Sequence, residues 1–383
     1  MQQIGTRSPG HVVVVGGGIA GVSAAYYLIK SGNCDRVSLL EAEDQLAHHT
    51  TGRSAALLIE NYGAGPIRPL TTASLDFFHS PPAELVDHDL IEKRGILTFS
   101  NGPDDDATFD QQLRDGAKTT HPVVEISRGE AEELAPHILF RPQDRLMWEP
   151  YAHDIDVAAT HQAFVRGFVR SGGEIHTARR VDAARPNGDQ WIVETTEGDL
   201  DADVIINAAG AWGDVVAQAA GVRPVGLQPL KRTAFMVPSP FADSTSFPVV
   251  GELHHAWYLR PDGAQFMCSP ADETPSEPCD ARADEIDIAR TIDMINERTR
   301  LAIRSVASHW AGLRTFAPDR AMVIGPDPAQ SNFIWCVGQG GTGIQTAPAA
   351  GRLVADLVTT GCPSAHFDGT SLDTAALSAA RFR

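Results

Sequence analysis

The chain has 383 residues, 43% of them hydrophobic and 21% charged, a balance that excludes a disordered protein and predicts about two domains. Its formal net charge of −18, from 31 basic and 49 acidic residues, argues against a nucleic-acid partner, which requires a concentrated basic face. The five cysteines form no CxxC pair, and neither a signal peptide nor a long apolar run is present. We therefore expect reduced thiols, no membrane span and a cytoplasmic enzyme.

A strand, a glycine turn and a helix open the chain. Residues 11–15 contain four consecutive valines, which is typical of a strand buried on both faces of a parallel sheet. Residues 19–30 predict a helix, and residues 36–41 predict a second strand that ends at Glu41. Together they form a βαβ unit of about 30 residues, the size of a dinucleotide-binding motif.

The turn in this unit carries the GxGxxG pattern, with Gly16, Gly18 and Gly21. Glycines are needed there because a Cβ would keep a pyrophosphate away from the free N–H groups of the helix N-terminus. Glu41 follows about twenty residues later, where an acid accepts hydrogen bonds from ribose hydroxyls and repels a 2′-phosphate. The alternative without a ligand is a glycine-rich turn followed by a surface glutamate.

The glycine turn does not by itself distinguish NAD from FAD. The distinguishing segment is the polar loop of residues 48–56, about ten residues beyond Glu41. Such a loop suits a cofactor that extends along the protein toward a flavin ring, so the sequence favours FAD.

The remaining elements alternate in type. Residues 155–171 predict a helix, residues 174–177 and 191–195 predict strands on either side of the turn at 186–189, and residues 203–207 predict a buried strand. Short strands are then predicted at 233–237, 248–253, 256–260 and 265–269, and a helix is predicted at 286–302. The chain ends with a strand at 333–337, a glycine loop and a helix to about residue 359.

We therefore predict an α/β fold in which a Rossmann-like FAD-binding domain carries an inserted antiparallel-sheet α+β substrate domain. The FAD-binding domain is assigned to residues 1–85, 150–225 and 319–383. The substrate domain is assigned to residues 86–149 and 226–318.

Eight stretches of the sequence resemble one family along nearly the whole chain and in the same order. They are residues 51–56, 70–74, 207–212, 226–229, 232–235, 258–262, 310–314 and 339–346. The family is the FAD-dependent D-amino acid oxidase/dehydrogenase superfamily, in its glycine-oxidase and sarcosine-oxidase-like branch. Within that branch the chain most resembles D-amino acid dehydrogenases of the D-arginine dehydrogenase type.

The resemblance implies four residues around a substrate carboxylate. Arg314 would hold the carboxylate with both ends of its guanidinium group, a geometry that lysine does not reproduce. Tyr258 would donate its phenol to the same group, Arg232 would add a second positive charge, and Tyr62 would lie on a loop that closes over the ligand. The alternatives without a substrate are that the arginines form surface ion pairs and that the tyrosines pack in the core.

The resemblance also implies a cofactor site made of several segments. Its residues are Gly16, Gly18, Ile19, Ala20, Gly21, Glu41, Thr51, Gly52, Arg53, Ser54, Ala55, Val181, Ala209, Gly210, Trp212, Gly340, Gly341, Thr342, Gly343, Ile344 and Gln345. The glycines at 340–343 begin the last predicted helix, whose N-terminus would stabilise negative charge on a reduced flavin.

Two departures from the family pattern carry further expectations. The segment that bears an acid in the arginine-using relative aligns with residues 93–97, where no acid faces the pocket, and Leu57, Leu58 and Ile59 are apolar. We therefore expect a pocket for neutral or hydrophobic substrates. No cysteine stands near Phe316, and His48 and His49 fall outside the histidine position used for flavin attachment in the family, so we expect noncovalent FAD.

The reaction implied is the oxidation of a D-amino acid to the imino acid by hydride transfer from Cα to flavin N5, followed by hydrolysis to a 2-oxo acid and ammonia. Two alternatives share the fold: an N-methyl amino acid or glycine oxidase, and a 2-hydroxy acid dehydrogenase. A third is a flavoprotein subunit that passes electrons to a partner. His88, His254 and His255 are candidate bases by residue type only and are expected at the surface. The sequence does not identify the electron acceptor. We expect the protein to be a monomer or a homodimer.

Overall fold

The computed structural model describes residues 9–383. Residues 1–8, the first of those assigned to the FAD-binding domain, lie outside the described residues. The eight α-helices of the described chain are α1 Ile19–Ser31, α2 Arg68–His79, α3 Asp106–Gly116, α4 Arg128–Leu134, α5 Val157–Arg170, α6 Gly213–Ala219, α7 Glu285–Arg298 and α8 Gly343–Thr359.

Strands of the described chain alternate with these helices. The first eleven are β1 His11–Val15, β2 Arg36–Leu40, β3 Leu57–Leu58, β4 Ile91–Lys93, β5 Ile96–Phe99, β6 Val124–Ile126, β7 Leu146–Glu149, β8 His153–Ile155, β9 Glu174–His176, β10 Val181–Asn187 and β11 Gln190–Thr195. The others are β12 Leu200–Ala202, β13 Val204–Asn207, β14 Gln228–Pro238, β15 Val249–Glu252, β16 Tyr258–Asp262, β17 Gln265–Ser269, β18 Thr274–Pro275, β19 Ser308–Phe316, β20 Val323–Pro326 and β21 Phe333–Val337.

A six-stranded sheet in the order β20-β21-β13-β1-β2-β9 holds the dinucleotide-binding motif. Its strands are parallel except β20, which runs antiparallel to β21. Residues Val12, Val13 and Val14 are fully buried, because both faces of this sheet are covered. Val12 and Val14 pack in a core with helices α1, α5 and α8, and Val13 packs in a core with the strands β10, β11 and β12 and helix α6. The Rossmann-like α/β prediction is confirmed.

A nine-stranded sheet provides the second layer, in the order β18-β14-β17-β16-β15-β5-β7-β6 with β19 paired to β14. Its pairs are antiparallel except β15 with β5. Alternate residues face opposite sides: Leu97 and Phe99 are buried in a core with α4 and α7, whereas Ile96 and Thr98 face a large cavity. One face of this sheet is therefore available to a ligand.

The strands of the two large sheets come from the segments that the sequence prediction assigned to the two domains. The division into a FAD-binding and a substrate domain stays a prediction. A three-stranded sheet β3-β8-β4 joins elements from both assignments, because β4 at residues 91–93 pairs with β8 at 153–155. A further sheet β10-β11-β12 packs beside the six-stranded one.

Several local predictions were wrong. The strand that pairs across the turn at 186–189 is β10, whereas the predicted strand at 174–177 is β9 and lies at the edge of the parallel sheet. The helix predicted to end at residue 302 ends at Arg298, because Thr299 is extended (φ −138°, ψ 165°). Neither α2 nor β19 was predicted, although both carry family motifs.

Two predictions from composition can also be compared with the structure. All five cysteines are free thiols, as expected. Within residues 9–383, every helix is too short or too polar to traverse a lipid bilayer.

Candidate active site

One continuous cavity of about 1540 Å³ lies between the six-stranded and the nine-stranded sheet. Its wall runs from Glu41, at the end of β2, past the N-termini of α1 and α8 to Arg314 on β19. Pockets for single small ligands typically measure about 300–1,000 Å³. The cavity is therefore large enough for a dinucleotide and a second small molecule together.

The first glycine turn forms the end of this cavity nearest β1. Gly16 has φ +110°, and a Cβ there would lie 2.5 Å from the carbonyl oxygen of Ala208, so only glycine is tolerated. Gly18 precedes α1 and leaves its first turn without a side-chain cap from that position. Thr51 Oγ1 instead accepts the Ile19 N–H at 3.0 Å. The turn thus presents backbone donors and a positive helix end to an anion.

Glu41 lies beside this turn, as predicted from its spacing. Its carboxylate accepts the backbone N–H groups of Gly17 at 2.8 Å and Glu43 at 2.9 Å, and it also lines the cavity. Val181 and Trp212 line the same end, and the Trp212 ring lies 4.6 Å from that of His49. A carboxylate held in place by two backbone donors is positioned to accept from ribose hydroxyls.

The second glycine turn joins β21 to α8. Gly340 has φ +53°, and a Cβ there would lie 2.2 Å from the Phe316 ring. Helix α8 begins at Gly343, and its cap residue Thr342 makes no side-chain cap hydrogen bond. The exposed backbone donors and the helix dipole at this position favour developing negative charge.

Arg314 and Tyr62 meet against this second turn. The Arg314 guanidinium donates from Nη1 to the Tyr62 hydroxyl at 3.4 Å. A Cβ on Gly341 would lie 2.9 Å from that hydroxyl and 3.0 Å from Arg314 Nη1. The two side chains predicted to bind substrate therefore adjoin the glycine turn predicted to contact the flavin.

Arg232 and Tyr258 complete the cluster from the neighbouring strands. Arg232 on β14 donates to the Asp272 carbonyl oxygen at 2.9 Å and pairs with Glu273 at 3.3 Å. Tyr258 lies on β16, and both residues line the cavity. The structure thus brings together all four residues that the resemblance placed around a carboxylate.

The electrostatics of this cluster favour an anion. Burial alone would raise the pKa of the Tyr258 phenol, but the positive charges of Arg314 and Arg232 bring it below its ordinary value. Burial, followed by the charge of Arg314, lowers the pKa of Arg232. Within residues 9–383, no carboxylate oxygen lies within 4.0 Å of the Arg314 guanidinium. An enclosed cation without a protein counter-ion is costly, so this position suits a bound carboxylate.

The loop that carries Tyr62 is tied to α8. Gln345 accepts the Ile59 N–H at 3.0 Å and donates to Thr71 Oγ1 at 3.1 Å. A Cβ on Gly63 (φ +103°) would lie 3.1 Å from Thr342. The start of the loop is therefore fixed against the helix that begins at the second glycine turn.

Most of the predicted cofactor residues line the cavity, but three of them do not, and the side chain of a fourth is bound elsewhere. Gly21 does not line it, because a Cβ there would lie 1.9 Å from the Gly16 carbonyl oxygen, so this glycine allows close packing. Gly52 turns its backbone to Ala47, and Gln345 is used to anchor the loop. Arg53 lines the cavity, but its guanidinium binds Ala281, Ala311 and Asp280.

The substrate end of the cavity is less uniform than predicted. Leu57, Ile59, Ile96 and Val249 provide the apolar wall that the sequence indicated, whereas Leu58 points into the core. The expectation that no acid faces residues 93–97 was wrong, because Glu149 pairs with Ile96 across two antiparallel strands and lines the cavity.

The candidate histidines occupy different positions. His88, His254 and His255 are all exposed, as the sequence predicted, and His254 and His255 also line the cavity. Desolvation of its ring against the cavity wall, followed by the charge of Arg232, lowers the pKa of His255. The position of these two histidines beside the cavity depends on the β15–β16 turn rather than on a sequence pattern.

Comparisons with known proteins show the family of the chain. The model of the DAO family, described as FAD dependent oxidoreductase, matches residues 11–357. The chain belongs to the DAO family of FAD-dependent oxidoreductases. This family member is 24% identical to FAD-dependent oxidoreductase domain-containing protein 1 of Bos taurus, over 94% of this chain and 82% of that protein.

Bacterial and archaeal relatives are similarly distant. Glycine oxidase of Geobacillus kaustophilus (strain HTA426) is 23% identical, over 91% of this chain and 92% of its own length. The crystal structure of L-proline dehydrogenase from P. horikoshii superposes with a TM-score of 0.81 at 20% identity and covers 98% of both chains. That similarity shows the shared fold.

The residues present fit FAD, the cofactor of the family. Gly16 and Gly340 are places where a Cβ would collide with the wall, and two helix N-termini face the cavity without a side-chain cap from their own N-cap residues. The turn at Gly16 and Gly18 would hold the pyrophosphate and Glu41 the ribose, with the turn at Gly340 and Gly341 against the flavin. Bound there, FAD supplies the acceptor for a hydride.

Proposed function

We propose that this DAO-family enzyme catalyses the oxidative deamination of D-amino acids, with neutral or hydrophobic side chains accepted against the apolar wall. The products are an imino acid, which water converts to a 2-oxo acid and ammonia. The observation that carries this proposal is the cluster of Arg314, Tyr62, Tyr258 and Arg232 beside Gly341. D-Stereochemistry and the D-arginine dehydrogenase-like character rest on the sequence resemblance.

In the proposed mechanism the protein mainly positions the substrate. Arg314 binds the carboxylate in a bidentate manner and Tyr258 donates to the same group, which fixes Cα next to the second glycine turn. Tyr62 closes the site from the loop above, and the apolar residues Leu57, Ile59 and Ile96 exclude water. The substrate amine must be neutral before the hydride leaves Cα, so the rate rises with pH as that amine loses its proton.

Noncovalent FAD, a cytoplasmic location and the two-domain division belong to the same proposal. None of the five cysteines, all within the described chain, lines the cavity, which supports noncovalent binding. Denaturation should release the yellow cofactor into the supernatant. Flavin that remains on the precipitated polypeptide would contradict this part.

The second candidate is an amine oxidase that acts on glycine or an N-methyl amino acid, as suggested by the name of the relative from Geobacillus kaustophilus. The same arginine clamp would serve it. However, the cavity continues along the nine-stranded sheet from Tyr258 past Val249 and Ile96 to Glu149. That space favours a substrate with a side chain. A 2-hydroxy acid remains the third candidate because it also carries a carboxylate.

A substrate panel separates these candidates. Holoenzyme is mixed anaerobically with both enantiomers of several amino acids, with sarcosine, glycine and 2-hydroxy acids, and the visible flavin absorbance is followed. We expect fast bleaching by D-leucine and D-methionine, and little by their L-enantiomers. Faster bleaching by sarcosine or by a 2-hydroxy acid would select the alternative. Admitting air then shows whether dioxygen is the electron acceptor.

A further inference from the structure

The floor of the substrate cavity is one face of the nine-stranded sheet, and Glu149 stands at its end. From Tyr258 on β16, the cavity-facing residues continue through Gly251 and Val249 on β15 to Ile96 on β5, and then to Glu149 on β7. Three strand-to-strand steps of about 4.8 Å and an offset of two residues along β15, about 3.3 Å each, separate the Tyr258 and Glu149 backbones by roughly 16 Å. Directly paired residues of antiparallel strands point to the same face, so Glu149 shares the orientation of Ile96.

Glu149 is an acid with no use in the reaction described above. Within residues 9–383, its carboxylate has no ion-pair partner and no hydrogen bond from another side chain. The pKa of Glu149 is raised to about 7, first because burial disfavours the carboxylate and then because of the negative charge of Glu60, while the Asn61 backbone and Arg68 oppose the rise. The Asn61 Oδ1 and Arg68 Nε atoms of these two neighbours are buried without a hydrogen-bond partner.

We propose that Glu149 recognises the far end of the substrate side chain, so that D-amino acids ending in an amine, a guanidine or an amide donor are substrates as well as neutral ones. This inference rests on the proposed function and refines it. The apolar wall holds the methylene groups of such a side chain, and the acid meets the donor at the end. A cationic donor forms the stronger bond, because charge-assisted hydrogen bonds are roughly twice as strong as neutral ones.

The proposal has a consequence for pH. A group with a pKa of about 7 is mostly protonated below that pH and ionised above it, whereas a lysine-like amine stays charged throughout, with a pKa of about 10.4. Preference for a cationic over a neutral side chain should therefore rise through neutral pH, by roughly tenfold. Two charged groups act on Glu149, namely Glu60 and Arg68. The titratable groups across a small adjoining cavity are His79, His121, Tyr151 and His153.

The test compares D-lysine with D-norleucine, which has the same chain without the terminal amine. The ratio of their kcat/KM values is measured in the holoenzyme at about pH 6 and about pH 8, on either side of the Glu149 titration. We expect the D-lysine to D-norleucine ratio to rise roughly tenfold in the unmodified enzyme. A ratio that does not change with pH overturns the proposal without any variant.

Glu149→Gln and Glu60→Gln then assign the effect to one acid. Glu149→Gln should abolish the rise. Glu60→Gln should keep the rise but move it to lower pH, because the Glu60 carboxylate is bound by the Thr120 backbone and hydroxyl at 3.1 and 2.6 Å and acts on Glu149 through the negative charge that helps raise its pKa. A rise that persists in Glu149→Gln refutes the role of Glu149. If instead no D-amino acid bleaches the flavin, the proposed function fails, and the two failures are distinguishable.

Discussion

Arg314→Lys tests the carboxylate clamp most sharply. Lysine keeps the positive charge next to Tyr62 but lacks the planar fork that binds both oxygens of a carboxylate. The guanidinium lies 3.4 Å from the Tyr62 hydroxyl and has no carboxylate partner among residues 9–383. The substitution therefore removes one of the two charge-assisted hydrogen bonds to the substrate carboxylate and removes few interactions within the protein.

The size of the effect follows from that single bond. A hydrogen bond to a charged group contributes about 1.5–3 kcal/mol, and each 1.4 kcal/mol is a factor of about ten. We expect kcat/KM for D-leucine to fall about 10- to 150-fold. Steady-state rates with an artificial electron acceptor measure it. D-leucinamide, which has no carboxylate, is the comparison substrate, and its already low rate should change much less.

Arg260→Lys is the matched control. Arg260 lies on β16 two residues after Tyr258, but it pairs with Asp154 at 3.0 Å and does not line the cavity. This variant should retain the kinetics of the unmodified enzyme. If Arg314→Lys loses the same factor with D-leucinamide as with D-leucine, Arg314 does not bind the carboxylate and the assignment is wrong.

Three further predictions concern Tyr258, Gly340 and His137. Tyr258→Phe should raise the KM for D-leucine about tenfold through loss of one donor, while an unchanged KM would remove Tyr258 from the clamp. Gly340→Ala should reduce FAD retention during gel filtration, because its φ is +53° and its Cβ would meet Phe316 at 2.2 Å; full retention would contradict this. His137 is wholly buried, and burial lowers its pKa to about 4. The unfolded chain binds a proton at His137 at higher pH than the folded chain does, so the free energy of unfolding should decrease as the pH is lowered from about 6.5 toward 4. Thermal unfolding measured over this pH range should show a smaller decrease for His137→Phe than for the unmodified protein.

The cofactor end of the site was predictable because its determinants are local. The valines of β1, the glycine turn and Glu41 lie within one βαβ unit, and the physical demands of a pyrophosphate and a ribose restrict the residue types at each position. The second glycine turn was implied by the resemblance. Gly21, however, serves packing, since contact with a ligand and contact with Gly16 produce the same requirement for glycine.

The substrate end depends on contacts between distant strands and was predicted less well. The resemblance supplied Arg314 and Tyr258 but not the strand β19. The pairing of β19 with β14, in which Arg232 lies opposite Gly312 and Leu230 opposite Arg314, sets the positions of Arg232 and Arg314. Glu149 stands opposite Ile96 because of a register between strands about fifty residues apart. The alternation of apolar and polar residues in one strand shows which residues share a face of the sheet, but it does not show which residue of a distant strand lies opposite each of them.

The central claim is that Arg314 and Tyr258 hold a D-amino acid against FAD-binding residues at Gly340 and Gly341. Its most direct test is the anaerobic reduction of the holoenzyme by D-leucine and, separately, by L-leucine. The reduction is monitored as the loss of visible flavin absorbance after rapid mixing. We predict that D-leucine bleaches the flavin within the turnover time and that L-leucine does not. Equal or preferential bleaching by L-leucine, or none by any D-amino acid, would contradict the account.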